Sequence, residues 1–355
     1  MENYEQKLFE YLENVARNNA SDLHLSAGRA ATLRVDGELV PMTKEKILTP
    51  QDTEGLAGVI LNDEKNEALK KNKSVDLSYS YKNVARFRVN VYYQFGAVSL
   101  AFRFIPAQVK TVQELGLPDI VSKFANYQQG LVLIAGPAGH GKSTTLAALI
   151  EQINNKRAEH IITIEDPIEY IFTQDKSIID QREVGRDTLG FKDALRDSFR
   201  QDPDIIMLGE MRDPETISTA VTAAETGHLV LATLHTNNSA QTINRIIDSF
   251  PPEQQQQIKA QLALTLIGVV SQRLVPKLNG GIIPAVEVLI ANPAVRNMIR
   301  EGKVHEIGLV IETGGDEGMI SFNRYLSDMV KEGKISMEVA ESYSLNSREL
   351  RSLLK

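Results

Sequence analysis

The run LVLIAGPAGHGKST (131–144) constrains this chain more than any other feature. Residues 131–135 are uniformly apolar, which suits a strand buried on both faces of a parallel sheet rather than one with a wet side. The strand leads into Gly136-x-x-x-x-Gly141-Lys142-Ser143, and the helical pattern TTLAALIEQI follows. Strand, glycine loop and helix in that order make a phosphate-binding P-loop. Gly136, Gly139 and Gly141 let the backbone curl until its N–H groups face phosphate oxygens, and the helix N-terminus adds positive potential there. The loop Gly136, Pro137, Ala138, Gly139, His140, Gly141, Lys142, Ser143 and Thr144 is therefore the expected nucleotide contact. Lys142 is placed to reach the β- and γ-phosphates, and the Ser143 hydroxyl to ligate Mg²⁺. The expected cofactors are ATP and Mg²⁺.

A P-loop announces a nucleotide but not its hydrolysis, and the acidic residues narrow the choice. DIIMLGE (204–210) is an apolar strand ending at Glu210, and IITIED (161–166) ends at Glu165 and Asp166. Ligands bind beyond the C-terminal ends of parallel strands, so these carboxylates are expected on the nucleotide edge. One can polarise the attacking water while the other holds the metal, directly or through water; either could instead cap a loop or pair with an arginine. HLVLATLHT (228–236) is a third such strand. His235 lies at its exit, where a γ-phosphate would sit, and His228 at the opposite end. No ligand-spaced His/Asp cluster accompanies them, so phosphate contact fits His235 better than metal binding.

Near-continuous apolar strands at 131–135, 161–164, 205–208 and 229–233, separated by amphipathic helices, predict an α/β sheet core from residue 130 onward. The first third differs. Leu8, Leu12 and Val15 have helical spacing, 31–40 reads as a hairpin turning at Asp36-Gly37, and 84–92 and 97–105 alternate around a turn at Gly96. The prediction is a small α+β domain over 1–106, a hinge over 107–118, and the ATPase domain over 119–355. Helices are expected to dominate from about 253, and the Gln run 254–257 reads as an exposed helix face. The 355 residues include no cysteine, which removes disulfides, thiolate metal sites and cysteine nucleophiles and suits a reducing cytoplasm. The polar N-terminus MENYEQKLFEYLENVARNN is not a signal peptide, and runs such as Leu262–Val270 are too short to cross a bilayer. Any membrane role would run through a partner. The net charge of −7 argues against nucleic acid as the main ligand, because phosphate contacts demand a basic face.

Taken together, these motifs resemble the type II/type IV secretion ATPase superfamily, and within it the PilT family of type IV pilus retraction motors. SDLHLSAG (21–28) resembles the family's opening sheet motif, GPAGHGKST (136–144) its Walker A, ITIEDPIEY (162–170) its Asp box, RQDPDIIMLGEMRD (200–213) its Walker B, and TGHLVLATLHTN (226–237) its His box. AVRNMIREGK (294–303) resembles the AIRNLIRE element of the retraction branch. The resemblance implies a PAS-like N-terminal domain joined to a RecA-like P-loop ATPase domain, with six subunits in a ring. It implies Glu165 as the base that activates water, Glu210 as the Walker B acid near Mg²⁺, and N-terminal arginines that close over the γ-phosphate. By position in RFRVN and LAFRF those arginines are Arg88 and Arg103, with Arg86 a competitor for Arg88. Arg is always charged and forks onto phosphate oxygens, so the chemistry fits. Arg200, Arg212 and Arg273 are further candidates for subunit contacts.

The resemblance further implies a homohexamer that powers pilus retraction and twitching motility from the cytoplasmic side of the inner membrane. Its partners would be a pilus platform protein and a paralogous retraction ATPase. The alternatives are an extension or type II secretion ATPase of the same superfamily, a RecA-like nucleic-acid translocase, and a nucleotide switch without turnover. The tetracysteine element common among extension motors is absent. Ala138 and His140 stand where the family usually carries Thr and Ser, and His140 raises the expectation of a nucleotide contact tunable by pH. Phe199, Val295 and Met298 are packing changes.

Overall fold

Alternation of apolar and polar residues builds the first sheet. In the computed structural model, which describes residues 3–18, 20–35, 37–81, 85–105 and 109–354, strand β1 is Asp22–Leu25, β2 Thr32–Val35, β3 Glu38–Pro41, β4 Ser74–Tyr81, β5 Ala85–Gln94 and β6 Ala97–Ile105. They form one antiparallel sheet in the order β3-β2-β1-β6-β5-β4. On β5, Ala85, Phe87, Val89 and Val91 are buried, while Arg86, Arg88 and Asn90 point to the other face. The helix Tyr4–Arg17 covers the core face with Leu8, Tyr11, Leu12 and Val15. At about 1.5–3 kcal/mol per fully buried large apolar side chain, that stripe stabilises the helix far more than its Asn3 cap does. Phe95 (φ 49°) and Gly96 (φ 78°) turn β5 into β6 with left-handed backbone at both central positions, the twist that suits a two-residue hairpin. The expected turn residue Asp36 lies outside the described residues; Gly37 beside it has φ 89°.

The second sheet carries the nucleotide loop. Its strands are β7 Gly130–Ala135, β8 His160–Glu165, β9 Ile178–Glu183, β10 Ile205–Leu208, β11 Leu229–Leu234, β12 Leu266–Pro276 and β13 Ile282–Ile290. The order is β13-β12-β7-β11-β10-β8-β9, parallel throughout except for the antiparallel β12–β13 pair. Every residue of β7, β10 and β11 is buried, as uniformly apolar strands between flanking helices require. The sequence missed β9, whose residues IIDQRE are mostly polar because it is an edge strand.

Helices do not dominate all of 253–355. The helix Pro252–Thr265 passes directly into β12, and β13 follows. Val, Ile and Leu crowd both strands, and such residues fit a pleated, buried surface better than a helix. Gly268 is required there: a Cβ would lie 2.6 Å from the Leu289 carbonyl oxygen. Beyond β13 the chain is helical, and Phe322, Leu326 and Met329 of the helix Phe322–Lys331 pack on Val275 and Ala285.

Packing divides the chain into Met1–Gln108 with Glu169–Ile171, and Val109–Ile168 with Phe172–Lys355. Residues 107 and 108 of the expected hinge lie outside the described residues. Residues 109–118 belong to the second unit rather than to a free linker: Val112 and Leu117 are buried, and the Tyr325 hydroxyl donates to the Gly116 carbonyl at 3.0 Å. Among the described residues no helix is long and apolar enough to cross a membrane.

Candidate nucleotide and catalytic site

The phosphate loop leaves β7 at Gly136 and ends where the helix Lys142–Lys156 begins. Gly141 caps that helix in left-handed conformation (φ 78°) and, having no side chain, makes no side-chain cap bond to its first turn. A helix of this length with an uncapped N-terminus and a glycine-formed loop in front of it is a fit for phosphate oxygens. Gly136 is obligatory for a second reason: a Cβ there would stand 2.4 Å from the Gln272 carbonyl oxygen. Lys142 is 7% exposed. Its Nζ donates to the carbonyls of Gly136 and Pro137, each at 2.9 Å, and to His235 Nδ1 at 3.4 Å.

The catalytic candidates arrive from neighbouring strands. His235 follows the last residue of β11, the strand beside β7. With Nδ1 accepting from Lys142, its Nε2–H donates to Glu210 Oε2 at 3.1 Å, which fixes the tautomer. Arg212 pairs with the other Glu210 oxygen. Lys142, His235, Glu210 and Arg212 thus form one connected polar chain. Glu210 is held in place from β11, where the Thr233 hydroxyl donates to the Gly209 carbonyl and Met211 N–H donates to the Thr233 carbonyl. Glu165 is the last residue of β8, level with the exit of β10, so it opens on the same edge. It is 5% exposed; Thr163 Oγ1 (2.7 Å) and Gln181 Nε2 (3.2 Å) donate to its Oε1. Two buried carboxylates beside a phosphate cradle are a donor set suited to a hard, oxygen-loving cation, and Ser143 adds a hydroxyl on the helix's first turn. The residues therefore fit Mg²⁺ held with the nucleotide.

Other candidates are placed differently from expectation. The His140 ring is committed to the protein: Leu274 N–H donates to Nδ1 at 2.9 Å. Burial, with Arg273 and Lys142 nearby, holds its pKa below the ordinary histidine value. One ring nitrogen of His140 is thus taken up by β12. Arg88 and Arg103 lie in the first unit, directly opposite each other on β5 and β6. Arg103 Nε donates to Asp22 Oδ1 at 3.0 Å, and Arg34 approaches the same carboxylate at 3.9 Å. Arg86 is two residues from Arg88 and shares its face. Of the other arginines, Arg200 pairs with Asp197 in its own unit, and Arg273 donates to Asn237 and covers the Phe322 ring.

Arg296 is turned inward. Nε donates to the Ala291 carbonyl, and Nη1 to those of Ala263 and Leu264 at the end of the helix Pro252–Thr265. Arg300 and Glu301 are exposed. Sequence reasoning also missed Gln272, a buried polar residue on β12 that reaches the crown of the phosphate loop and the helix behind it. Its signal was an amide interrupting the apolar run GVVSQRLV (268–275).

Comparison with known proteins agrees with this geometry. The model of the family "Type II/IV secretion system protein" matches residues 2–299. The type IV pilus retraction ATPase PilT of Pseudomonas aeruginosa is 45% identical over 331 residues, covering 93% of this chain and 96% of that protein. The type IV pilus ATPase PilU of the same organism is 39% identical, covering 97% and 90%. The crystal structure of the pilus retraction motor PilT with bound ADP superimposes with a TM-score of 0.90 at 45% identity, covering 97% of this chain and 98% of that one. A P-loop, two strand-end carboxylates and likeness along nearly the whole chain lead to the same conclusion: this chain is an ATPase belonging to the type II/IV secretion system protein family.

Proposed function

We propose that this ATPase powers type IV pilus retraction as a homohexamer, acting on an inner-membrane platform protein from the cytoplasmic side. One observation carries the reading. The chain matches a pilus retraction ATPase across 93% of its own length and 96% of the relative's, with every catalytic candidate at the same sheet edge or on the N-terminal sheet. The higher identity to PilT than to PilU, 45% against 39%, supports a retraction motor in its own right. A paralogous ATPase would be a partner in the same machine.

ATP lies with its phosphates on residues 136–144. Lys142 turns from the loop carbonyls and His235 toward the β- and γ-phosphates. Ser143 and Glu210 would hold Mg²⁺, directly or through water, and the bound ion would supply positive charge against the phosphates. Glu165, oriented by Thr163 and Gln181, positions the attacking water and accepts its proton. Phosphate replaces His235 as the lysine's partner, so His235 reports the γ-position to Glu210. Arg88 and Arg103 supply positive charge for the γ-phosphate, one of whose oxygens gains charge in the transition state. Loss of the γ-phosphate on hydrolysis removes those contacts.

The test is steady-state phosphate release by wild type, Glu165→Gln and Lys142→Ala, with oligomeric state read by light scattering. Complementation of twitching is scored in a strain lacking its retraction ATPase. The reading requires hexamers, turnover lost in both variants, and twitching restored by wild type alone. ATP binding without turnover would replace the motor with a switch. Turnover surviving in Glu165→Gln would move the base role to Glu210.

A further inference from the structure

The strand β12 does not stop where its partner β7 ends. Ser271 pairs with Ala135, the last residue of β7, and Gln272, Arg273 and Leu274 run on beside the phosphate loop. Gln272 is 3% exposed. Its Nε2 donates to the His140 carbonyl at 2.7 Å, and its Oε1 accepts from Thr145 Oγ1 at 2.7 Å. One amide therefore ties the crown of the loop to the first turn of the helix behind it. Two residues on, Leu274 N–H donates to the His140 ring. The fit is close: a Cβ on Gly141 would approach Gln272 Nε2 to 3.0 Å.

The peptide bond turns this clasp into a statement about phosphate binding. A trans peptide is planar, and its C=O and N–H point in opposite directions. Holding the His140 carbonyl against Gln272 aims the Gly141 N–H away from β12, to the side where phosphate binds. The geometry points to Gln272 as a positioning residue for the phosphate cradle, acting through the His140 carbonyl, with the His140 ring as a second latch on Leu274. Gln272 need not touch the nucleotide. The ring latch holds only while Nδ1 is unprotonated, because a protonated Nδ1 cannot accept the Leu274 N–H. The charged groups facing the ring are Lys142 from the helix and Arg273 from β12. Both are cations, and they add to burial in keeping the ring neutral near pH 7. Acid therefore opens the latch. Because Leu274 and Gln272 also pair with Pro284 and Val286 of β13, force on that hairpin reaches the cradle through the same clasp.

The test is ADP affinity by fluorescent-nucleotide titration from pH 5.5 to 8, on wild type, Gln272→Leu and His140→Ser, with thermal melting of each. Gln272→Leu should weaken ADP binding about tenfold at pH 7.5, the loss of one charge-assisted hydrogen bond. Wild type should lose affinity more steeply than His140→Ser toward the acid end of that range, since the ring's pKa lies below the ordinary histidine value. The nucleotide's own titration is common to both proteins and cancels in that comparison. If Gln272→Leu fails to fold, the pH profiles of wild type and His140→Ser decide alone, since a merely structural histidine would leave them parallel. Unchanged ADP affinity in folded Gln272→Leu, or parallel profiles, overturns the proposal.

Discussion

Replacing Arg296 by Ala should destabilise the ATPase unit severely, although Arg300 and Glu301 of the same helix are exposed. The guanidinium donates to three carbonyls, two of them at the C-terminus of the helix Pro252–Thr265. Burial lowers its pKa, yet an arginine remains a cation at any accessible pH. After allowing for solvent at a half-buried site, each bond contributes roughly 1 kcal/mol, and a cation at a helix C-terminus adds about 0.5 kcal/mol. The cost of Arg296→Ala is then about 3.5 kcal/mol. A unit of about 240 residues has an unfolding entropy near 0.5 kcal/mol/K, so the melting temperature should fall by about 7 °C. Arg300→Ala on the same helix removes only an exposed charge and should shift it by about 1 °C or less. The assay is calorimetry of the three proteins at one concentration with saturating ADP. An Arg296→Ala melting point within 1 °C of wild type would refute the reasoning.

Gly136→Ala should abolish nucleotide binding, because its methyl would overlap the Gln272 carbonyl in a strand paired on both sides; titration with fluorescent ADP checks it. At His160 burial lowers the pKa, but hydrogen bonds to Asp180 and to the carbonyls of Asp202 and Gln201 outweigh it, so the folded value is raised. Its contribution to stability is complete below the ordinary histidine range and lost as pH rises through the folded value, so His160→Gln should cost more stability at pH 6 than at pH 8 by thermal melting. Burial likewise raises the Glu287 carboxyl, against the Ser239 N–H that donates to it. Its folded state weakens as pH rises from the ordinary carboxyl value of 4.5 through that raised value, so Glu287→Gln, which can still accept the bond, should gain in melting temperature relative to wild type as pH is raised from there.

The strand and loop at 131–144 were legible because each link is local: an apolar run, a glycine spacing and a helix pattern. The strand ends at Glu165, Glu210 and His235 followed from the parallel-sheet rule, and the structure brings Lys142, His235 and Glu210 into one hydrogen-bonded chain. The missed features depend on partners far away in sequence. Gln272 acquires its meaning from His140 and Thr145, more than a hundred residues earlier. Arg296 looks like surface charge until the carbonyls of residues 263 and 264 appear beneath it. His140 suggested a ligand contact because it sits in the loop, yet its ring faces β12. The strands β12 and β13 were hidden by their neighbours, since helical sequence lies on both sides and a short apolar run fits either structure.

The ends of the two sheets bear on how such a chain can be kept from associating wrongly. An edge strand offers unpaired backbone groups to any other strand, and a protein made at high local concentration is exposed to that hazard. Here β13 contains Pro284, which lacks an N–H, and β3 ends in Pro41. The edge strand β9 carries Asp180, Arg182 and Glu183 after its first two isoleucines, and β4 carries Asp76. Each of the four edges thus spoils continuous strand addition, by a missing donor or by a charge that another chain would have to desolvate. Fibrils grown by sheet extension are disfavoured, and copies of this chain are left to meet through side-chain surfaces, whose geometry can close into a finite particle.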